Sequence, residues 1–219
     1  MTPFPIILSA PSGGGKTTIA KELLRRRADL GYSVSCTTRA QRPGEVHGAD
    51  YYFLTPAEFA DRRARGDFAE SAEVHGRLYG TLREEVSRVL AGGRHVIMDI
   101  DVQGAAQFHA AFPESVLIFL IPPSAEVLRG RLSGRMTEDG ASLQRRLRTS
   151  REELRAVDAY EYVIVNDELE RALATVSAVI DAEAARRARF AGLDDRIEQL
   201  VAELDRILAP NAVPSPTES

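Results

Sequence analysis

Apolar residues along this chain gather in short runs that alternate with segments of helical spacing. Ile6-Ile7-Leu8, Val96-Ile97-Met98, Val116 to Ile121 and Tyr162 to Val165 are apolar at nearly every position. That is the pattern of strands buried on both faces of a parallel sheet. Between the runs the apolar positions follow a period near 3.6. Ile19, Leu23 and Leu24 share one helical face, and Val86, Val89 and Leu90 share another within residues 83–90, which stops at Gly92-Gly93. Ser124 stands as a cap before Val127, Leu128 and Leu132. Strands alternating with helices predict an α/β fold, a doubly wound parallel sheet with helices on both faces.

Two stretches break this rhythm. Across residues 32–82 short β-like pieces (Tyr32 to Ser35, Tyr51 to Leu54, Phe68 to Ala69) are separated by polar turns such as Pro43-Gly44 and His47-Gly48, which predicts a small, mostly β insertion. Residues 124–157 are Arg-rich and contain Gly130, Gly134 and Gly140, as a mobile helical lid would. The core is then residues 1–31, 83–123 and 158–208, helical from about Asn166 onward, with residues 209–219 as a disordered tail. Ile197, Leu200, Val201, Leu204 and Leu208 form a stripe on the last helix. It either packs on the chain's own core, the reading favoured here, or is a seam for a homo-oligomer.

A length of 219 residues suits one domain with inserted subdomains, and 44% hydrophobic with 27% charged residues is an ordinary globular mix. A formal net charge of −4 argues against a nucleic-acid partner. No apolar stretch approaches the ~20 residues that span a bilayer, so no membrane partner is expected. Cys36 is the only cysteine, which excludes an intramolecular disulfide framework and suits a reducing compartment. With no leader pattern at the N-terminus, the expectation is a cytoplasmic protein.

The chemistry begins directly after the first apolar run. Ala10-Pro11-Ser12-Gly13-Gly14-Gly15-Lys16-Thr17 is a Walker A phosphate loop with Ala in place of the first Gly, followed by Thr18 and a helix. Its glycines let backbone N–H groups turn inward as an anion cradle, Lys16 reaches the β- and γ-phosphates, and Thr17 offers a hydroxyl to Mg²⁺. Of 28 basic residues only two are lysines, at 16 and 21, so a lysine at the motif position is informative. A planar guanidinium cannot replace a compact ammonium in a tight cradle. A second constellation follows at Ser35-Cys36-Thr37-Thr38-Arg39-Ala40-Gln41-Arg42-Pro43-Gly44-Glu45 and Asp50-Tyr51. Two arginines beside hydroxyls and a tyrosine suit a phosphate monoester, although Arg39 and Arg42 taken alone would be a solvated loop. Asp99 and Asp101, two apart at a strand end, suit either a ligand site at the sheet edge or a helix-capping turn.

Ser-x-Thr-Thr-Arg-x-x-Arg-x-Gly-Glu followed by Asp-Tyr strongly resembles the nucleoside-monophosphate site of guanylate kinases. The resemblance continues through Glu70, Tyr79-Gly80-Thr81, Met98 to Gly104, the Arg-rich segment and Val163 to Asp167, over about residues 5 to 185. It implies a P-loop kinase with a GMP-binding insertion, converting ATP and GMP (and dGMP) to ADP and GDP with Mg²⁺. It implies ATP binding by Ala10, Pro11, Ser12, Gly13, Gly14, Gly15, Lys16, Thr17, Thr18, Arg131 and Asn166, the last beside adenine. GMP phosphate would be held by Arg39, Arg42, Tyr51 and Tyr79, with Glu45 near the acceptor site. Glu70 would accept from guanine N1–H and N2–H₂ while Ser35 and Thr81 address O6. Asp99 and Asp101 would contribute to guanosine contacts, and Thr17 and Asp99 to the magnesium site, partly through water. Lys16, Arg39, Arg135 and Arg146 would be catalytic, the lid arginines closing on the transferring phosphoryl group. Two other readings stay open. One is a ribose 1,5-bisphosphate phosphokinase, against which stand Glu70, Ser35 and Thr81. The other is a non-catalytic guanylate-kinase-like protein-binding module, against which stand Lys16, Thr17, Arg39 and Arg42.

Overall fold

Three of the four runs that are apolar at nearly every position become strands covered from both sides, whereas Tyr162 to Val165 forms an edge strand with Val163 and Val165 49% and 45% exposed. The computed structural model describes residues 2–74, 76–133 and 140–209. In chain order its elements are β1 (Pro5–Ser9), α1 (Lys16–Arg26), β2 (Leu30–Tyr32), β3 (Ser35–Thr37), β4 (Tyr52–Phe53), α2 (Pro56–Ala64), β5 (Phe68–Val74) and β6 (Arg77–Leu82). There follow α3 (Arg83–Ala91), β7 (His95–Asp99), α4 (Val102–Ala111), β8 (Val116–Ile121), α5 (Ala125–Ser133), α6 (Gly140–Leu154), β9 (Tyr162–Val165), α7 (Leu169–Ala184) and α8 (Leu193–Leu208).

Five strands form a parallel sheet in the order β2-β7-β1-β8-β9. β1 lies at its centre with all five residues buried, Ile7 opposite Met98 on one side and Leu117 on the other. The period of two sends Ile6 and Leu8 to a core shared with Ile19 and Leu23 of α1 and Leu173, Val176 and Ile180 of α7. Ile7 faces the opposite core, with Val86 and Val89 of α3 and Phe108 of α4. The doubly wound fold is as the alternation of elements predicts. The C-terminal strand ends then bring three connections to one edge: the loop after β1, Asp99 to Asp101 after β7, and Asn166 after β9.

A second sheet, β4-β3-β6-β5, is antiparallel except for the β3–β4 pair and has its own small core of Cys36, Phe59, Phe68 and Leu82. Here the structure departs from the expectation twice. Tyr32 belongs to the edge of the large sheet, where β2 pairs with β7, and only from Ser35 does the chain enter the small one. The insertion also contains a helix, α2, whose Phe59 is fully buried and stacks on Phe68 with ring centroids 4.4 Å apart. Its start is written in Thr55-Pro56-Ala57-Glu58: Glu58 N–H donates to Thr55 Oγ1 (3.2 Å) and Thr55 N–H to Glu58 Oε2 (2.7 Å), with Pro56 at the first helical position. Thr55→Ala is expected to cost about 1 kcal/mol and to lower Tm by about 3 °C in thermal melting. An unchanged Tm would remove the cap from the account of this helix.

The region after Asn166 is helical as expected, in two segments, α7 and α8, with the second restarting at Gly192 with φ +68°. The last helix does not pack on the chain's own core. No residue of α8 is buried, and Ile197, Leu204 and Ile207 are 50%, 55% and 77% exposed. Among the described residues, no helix is long and apolar enough to cross a membrane. Arg135 and residues 210–219 lie outside the described residues, so the expectations for that arginine and for the tail have no structural counterpart.

Candidate active site

The loop between β1 and α1 is shaped by two left-handed glycines, Gly13 (φ +82°) and Gly15 (φ +93°). Gly15 is the N-cap of α1 and supplies no side chain to cap it, which leaves the first N–H groups of the helix available to an anion. Ala10 fits at the first motif position because Gly14 yields to it. A Cβ on Gly14 would lie 2.6 Å from the Ala10 Cβ. One on Gly15 would lie 2.4 Å from Asn166 Nδ2. Lys16 begins the helix, half-buried, and has no ion-pair partner among the described residues.

Asn166 supports this loop from below. Buried at the end of β9, it donates through Nδ2 to the Gly14 carbonyl (2.8 Å), and its own carbonyl accepts from Arg131 Nη2 (2.8 Å). A pocket of about 390 Å³ opens beside it, lined by Gly13, Gly15, Thr18, Arg131, Asn166, Asp167 and Leu169. Helix α6 grips the loop from above at a single residue. Arg146 Nη2 donates to Ser12 Oγ (3.3 Å), Ser150 Oγ donates to the Ser12 carbonyl (3.3 Å), and Ser12 N–H donates to Glu153 Oε2 (2.9 Å). Burial pushes the Glu153 carboxyl above the ordinary range, against the pull of the Ser12 N–H and the Lys16 charge. Sequence reasoning missed Ser150 and Glu153. The i, i+4, i+7 spacing of Arg146, Ser150 and Glu153 on one helical face was the available signal.

The aspartates after β7 divide. Thr17 Oγ1 donates to Asp99 Oδ2 at 2.5 Å, across the gap between the loop and β7. Asp101 is the N-cap of α4 and accepts from Gly104 N–H (2.8 Å), so it is a capping residue as well as a neighbour of the site. Among the described residues no three His, Cys, Asp or Glu side chains cluster as a metal cage.

In the insertion the two halves of the acceptor motif meet. Arg39 donates both guanidinium nitrogens to Glu45, Nη2 to Oε1 at 2.7 Å and Nη1 to Oε2 at 3.0 Å, and Arg42 N–H adds a third bond at 2.8 Å. The Arg39 hydrogen bonds hold the Glu45 carboxyl below its usual range. Arg39 lies 5.4 Å from the Tyr51 ring centroid, and the Tyr51 and Tyr79 rings are 6.2 Å apart. The Arg42 side chain is exposed.

The strand register aligns a polar row across the small sheet. Ser35 is opposite Thr81, and Thr81 is opposite Glu70, which follows a bulge after Phe68. Glu70 is 8% exposed, and its Oε1 accepts from Thr81 Oγ1 at 2.8 Å. Gly104 is the close neighbour of the other oxygen, since a Cβ there would stand 3.1 Å from Oε2. Burial pushes the Glu70 carboxyl up to about 7, and the Asp101 charge pushes the same way. Tyr79 lies two residues before Thr81 on the same face, roughly 7 Å along the strand. A cleft of about 580 Å³ joins the two regions: Thr17 and Lys21 of α1 and Asp99 of β7 line it on one side, Glu45, Asp50 and Tyr51 of the insertion on the other. Lys21 went unassigned in the sequence reading because a lone lysine on a helix carries no motif.

The architecture and the sequence have known counterparts. A family model described as guanylate kinase matches residues 2–183. The guanylate kinase of Chelativorans sp. is 44% identical over 199 residues, covering 90% of this chain and 91% of that one. That of Symbiobacterium thermophilum is 48% identical over 184 residues, 84% of this chain and 87% of the other. A crystal structure of guanylate kinase from Anaplasma phagocytophilum superposes with a TM-score of 0.72 at 34% identity, covering 90% of this chain and 95% of that one. A glycine-shaped loop between β1 and α1 and these likenesses over most of the length lead to one conclusion: the chain belongs to the guanylate kinase family.

Proposed function

We propose that this protein transfers the γ-phosphate of ATP to GMP, and to dGMP, giving ADP and GDP or dGDP. The observation that carries the reading is the cleft with Thr17 and Lys21 of α1, next to the uncapped helix start, on one wall and Glu45 and Tyr51 on the other, with Arg39 bonded to Glu45 and Tyr79 beside Tyr51. Two anion sites facing one space suit a kinase whose acceptor is itself a phosphate. The Ser35–Thr81–Glu70 row adds the reading of the base, because a carboxylate presents two acceptors to the paired donors that guanine has and adenine lacks.

On this reading residues 32–82 bind GMP and residues 124–157 form the lid. The backbone of Gly13 to Thr18 cradles the ATP phosphates, and the pocket beside Arg131 and Asn166 takes the base. Arg39 exchanges Glu45 for the GMP phosphate, with Arg42, Tyr51 and Tyr79 completing its shell. An oxygen of that phosphate attacks the γ-phosphorus in line, the bond to the β–γ bridging oxygen breaks, and ADP leaves. Lys16 neutralises charge on the transferring group, and Arg146, with Arg135 from the lid, closes over it. Thr17 and Asp99 are hard oxygen donors that suit a magnesium ion arriving with the phosphates, where it would neutralise β- and γ-oxygen charge. Closure of the two units excludes water, so that ATP is not hydrolysed. A buried, unpaired Cys36 fits a cytoplasmic setting.

An assay of ADP release with GMP, dGMP, AMP and ribose 1,5-bisphosphate as acceptors tests this. GMP and dGMP should support turnover, and AMP should be at least ~10³-fold poorer in kcat/KM. No GMP-dependent ADP release overturns the reading, and release driven by the sugar bisphosphate would favour the other kinase.

A further inference from the structure

Helix α8 presents a face that no described residue buries. It lies beyond residues 2–183, which match the family model, and none of its residues is buried. Leu193, Ile197, Leu200, Leu204 and Ile207 recur at alternating intervals of four and three, the spacing of a coiled-coil seam. Val201 and Leu208 widen the stripe on one side, and Leu200, Val201 and Leu208 are 44%, 50% and 76% exposed. A solitary helix of 16 residues is marginal in water, and an uncovered apolar face of this length calls for an apolar partner.

The flanking charges say which partner. Arg196 and Glu203 are seven residues apart and therefore lie on the same edge of the seam. In a parallel pair each would face the position five residues further along the other helix, Val201 or Leu208, and both charges would go unmatched. In an antiparallel pair about a two-fold axis, Arg196 meets the partner's Glu203, and Glu203 meets the partner's Arg196. The same register sets Leu193 against the partner's Leu204 and Ile197 against the partner's Leu200. Gln199 already holds Glu203 Oε1 at 3.0 Å, which fixes the carboxylate at the seam edge.

We propose that a second copy of this chain docks here, α8 against α8, antiparallel and registered by the reciprocal Arg196–Glu203 pairs. The test is sedimentation equilibrium of the full chain across about a hundredfold range of concentration, with Arg196→Glu, Glu203→Arg and the double exchange R196E/E203R. Each single variant should weaken self-association at least ~10-fold by setting like charges opposite twice, and the double exchange should restore it to within ~3-fold. Turnover should be unchanged in all three, since neither residue lies in the site; this also verifies that they fold. A chain that stays monomeric throughout overturns the proposal, whether or not some other protein binds the helix. So does a dimer indifferent to either single reversal, as a parallel seam or another surface would be.

Discussion

Lys16→Ala is expected to lower kcat by at least ~10²-fold in a chain that melts at the wild-type temperature. The size follows from position. Lys16 is the first residue of α1, half-buried at the mouth of the phosphate loop, and has no ion-pair partner among the described residues to share its charge with. Its ammonium is therefore free to act where negative charge passes from the γ-phosphate to the leaving ADP. Removal costs little in the ground state, so the loss falls on kcat more than on the GMP KM. Lys16→Arg should not rescue. The loop packs so closely that a single added carbon at Gly15 would stand 2.4 Å from Asn166, and a planar fork asks for more room than an ammonium. Steady-state kinetics with saturating GMP measures this, and a kcat within tenfold of wild type would take Lys16 out of the transfer step.

Glu70→Gln should reduce kcat/KM for GMP by about 10²-fold while changing the ATP KM less than about twofold. A charge-assisted hydrogen bond of about 1.5–3 kcal/mol is lost, and the amide sets a donor against a guanine donor. The pH dependence gives a second reading of the same residue. In the free protein burial pushes the Glu70 carboxyl up to about 7, whereas the proposed contact with guanine would take the ionised form. Apparent GMP affinity should therefore rise about tenfold from pH 6 to pH 8 through this group, beyond the contribution of the ligand's own phosphate. Glu70→Gln should leave only the phosphate part. Stability runs the other way. The folded chain binds an extra proton between the ordinary carboxylate pKa near 4.5 and about 7, so this group's contribution is intact at acid pH and falls as pH rises through that window. Thermal melting should find Glu70→Gln more stable than wild type at pH 8 and no more stable at pH 4. Equal loss of GMP and ATP binding, or a titration unaltered by the substitution, would refute the assignment.

Much of this was legible in the sequence, for identifiable reasons. Three core strands announce themselves because burial on both faces leaves no polar position in Ile6 to Leu8, Val96 to Met98 or Val116 to Ile121, and Tyr162 to Val165 reads the same way although Val163 and Val165 of that edge strand are exposed. β2 does not, because Leu30-Gly31-Tyr32 is three residues long, and one of them is a glycine accommodating Val89. The α2 helix was written in Thr55 to Glu58, but the neighbouring aromatics read as β. Motif residues could be located from their spacing in the chain. The grip of Ser150 and Glu153 on Ser12 left only their shared helical face as a signal, and polar residues on one face of a helix read as solvated until a tertiary contact is known. For α8 the stripe announces that a face is covered without saying by what.

On the proposed reading, the Arg39–Glu45 pair means that the acceptor site keeps its own counterion. Filling it is an exchange of anions at a fixed cation, so Arg39 is never left desolvated and bare while the cleft stands open. The exchange also sets a toll on occupancy. A dianionic phosphate displaces the carboxylate at a gain, whereas a neutral nucleoside offers Arg39 nothing and leaves Glu45 in its place. Guanosine alone would thus read the base row and still leave the cleft closed to transfer.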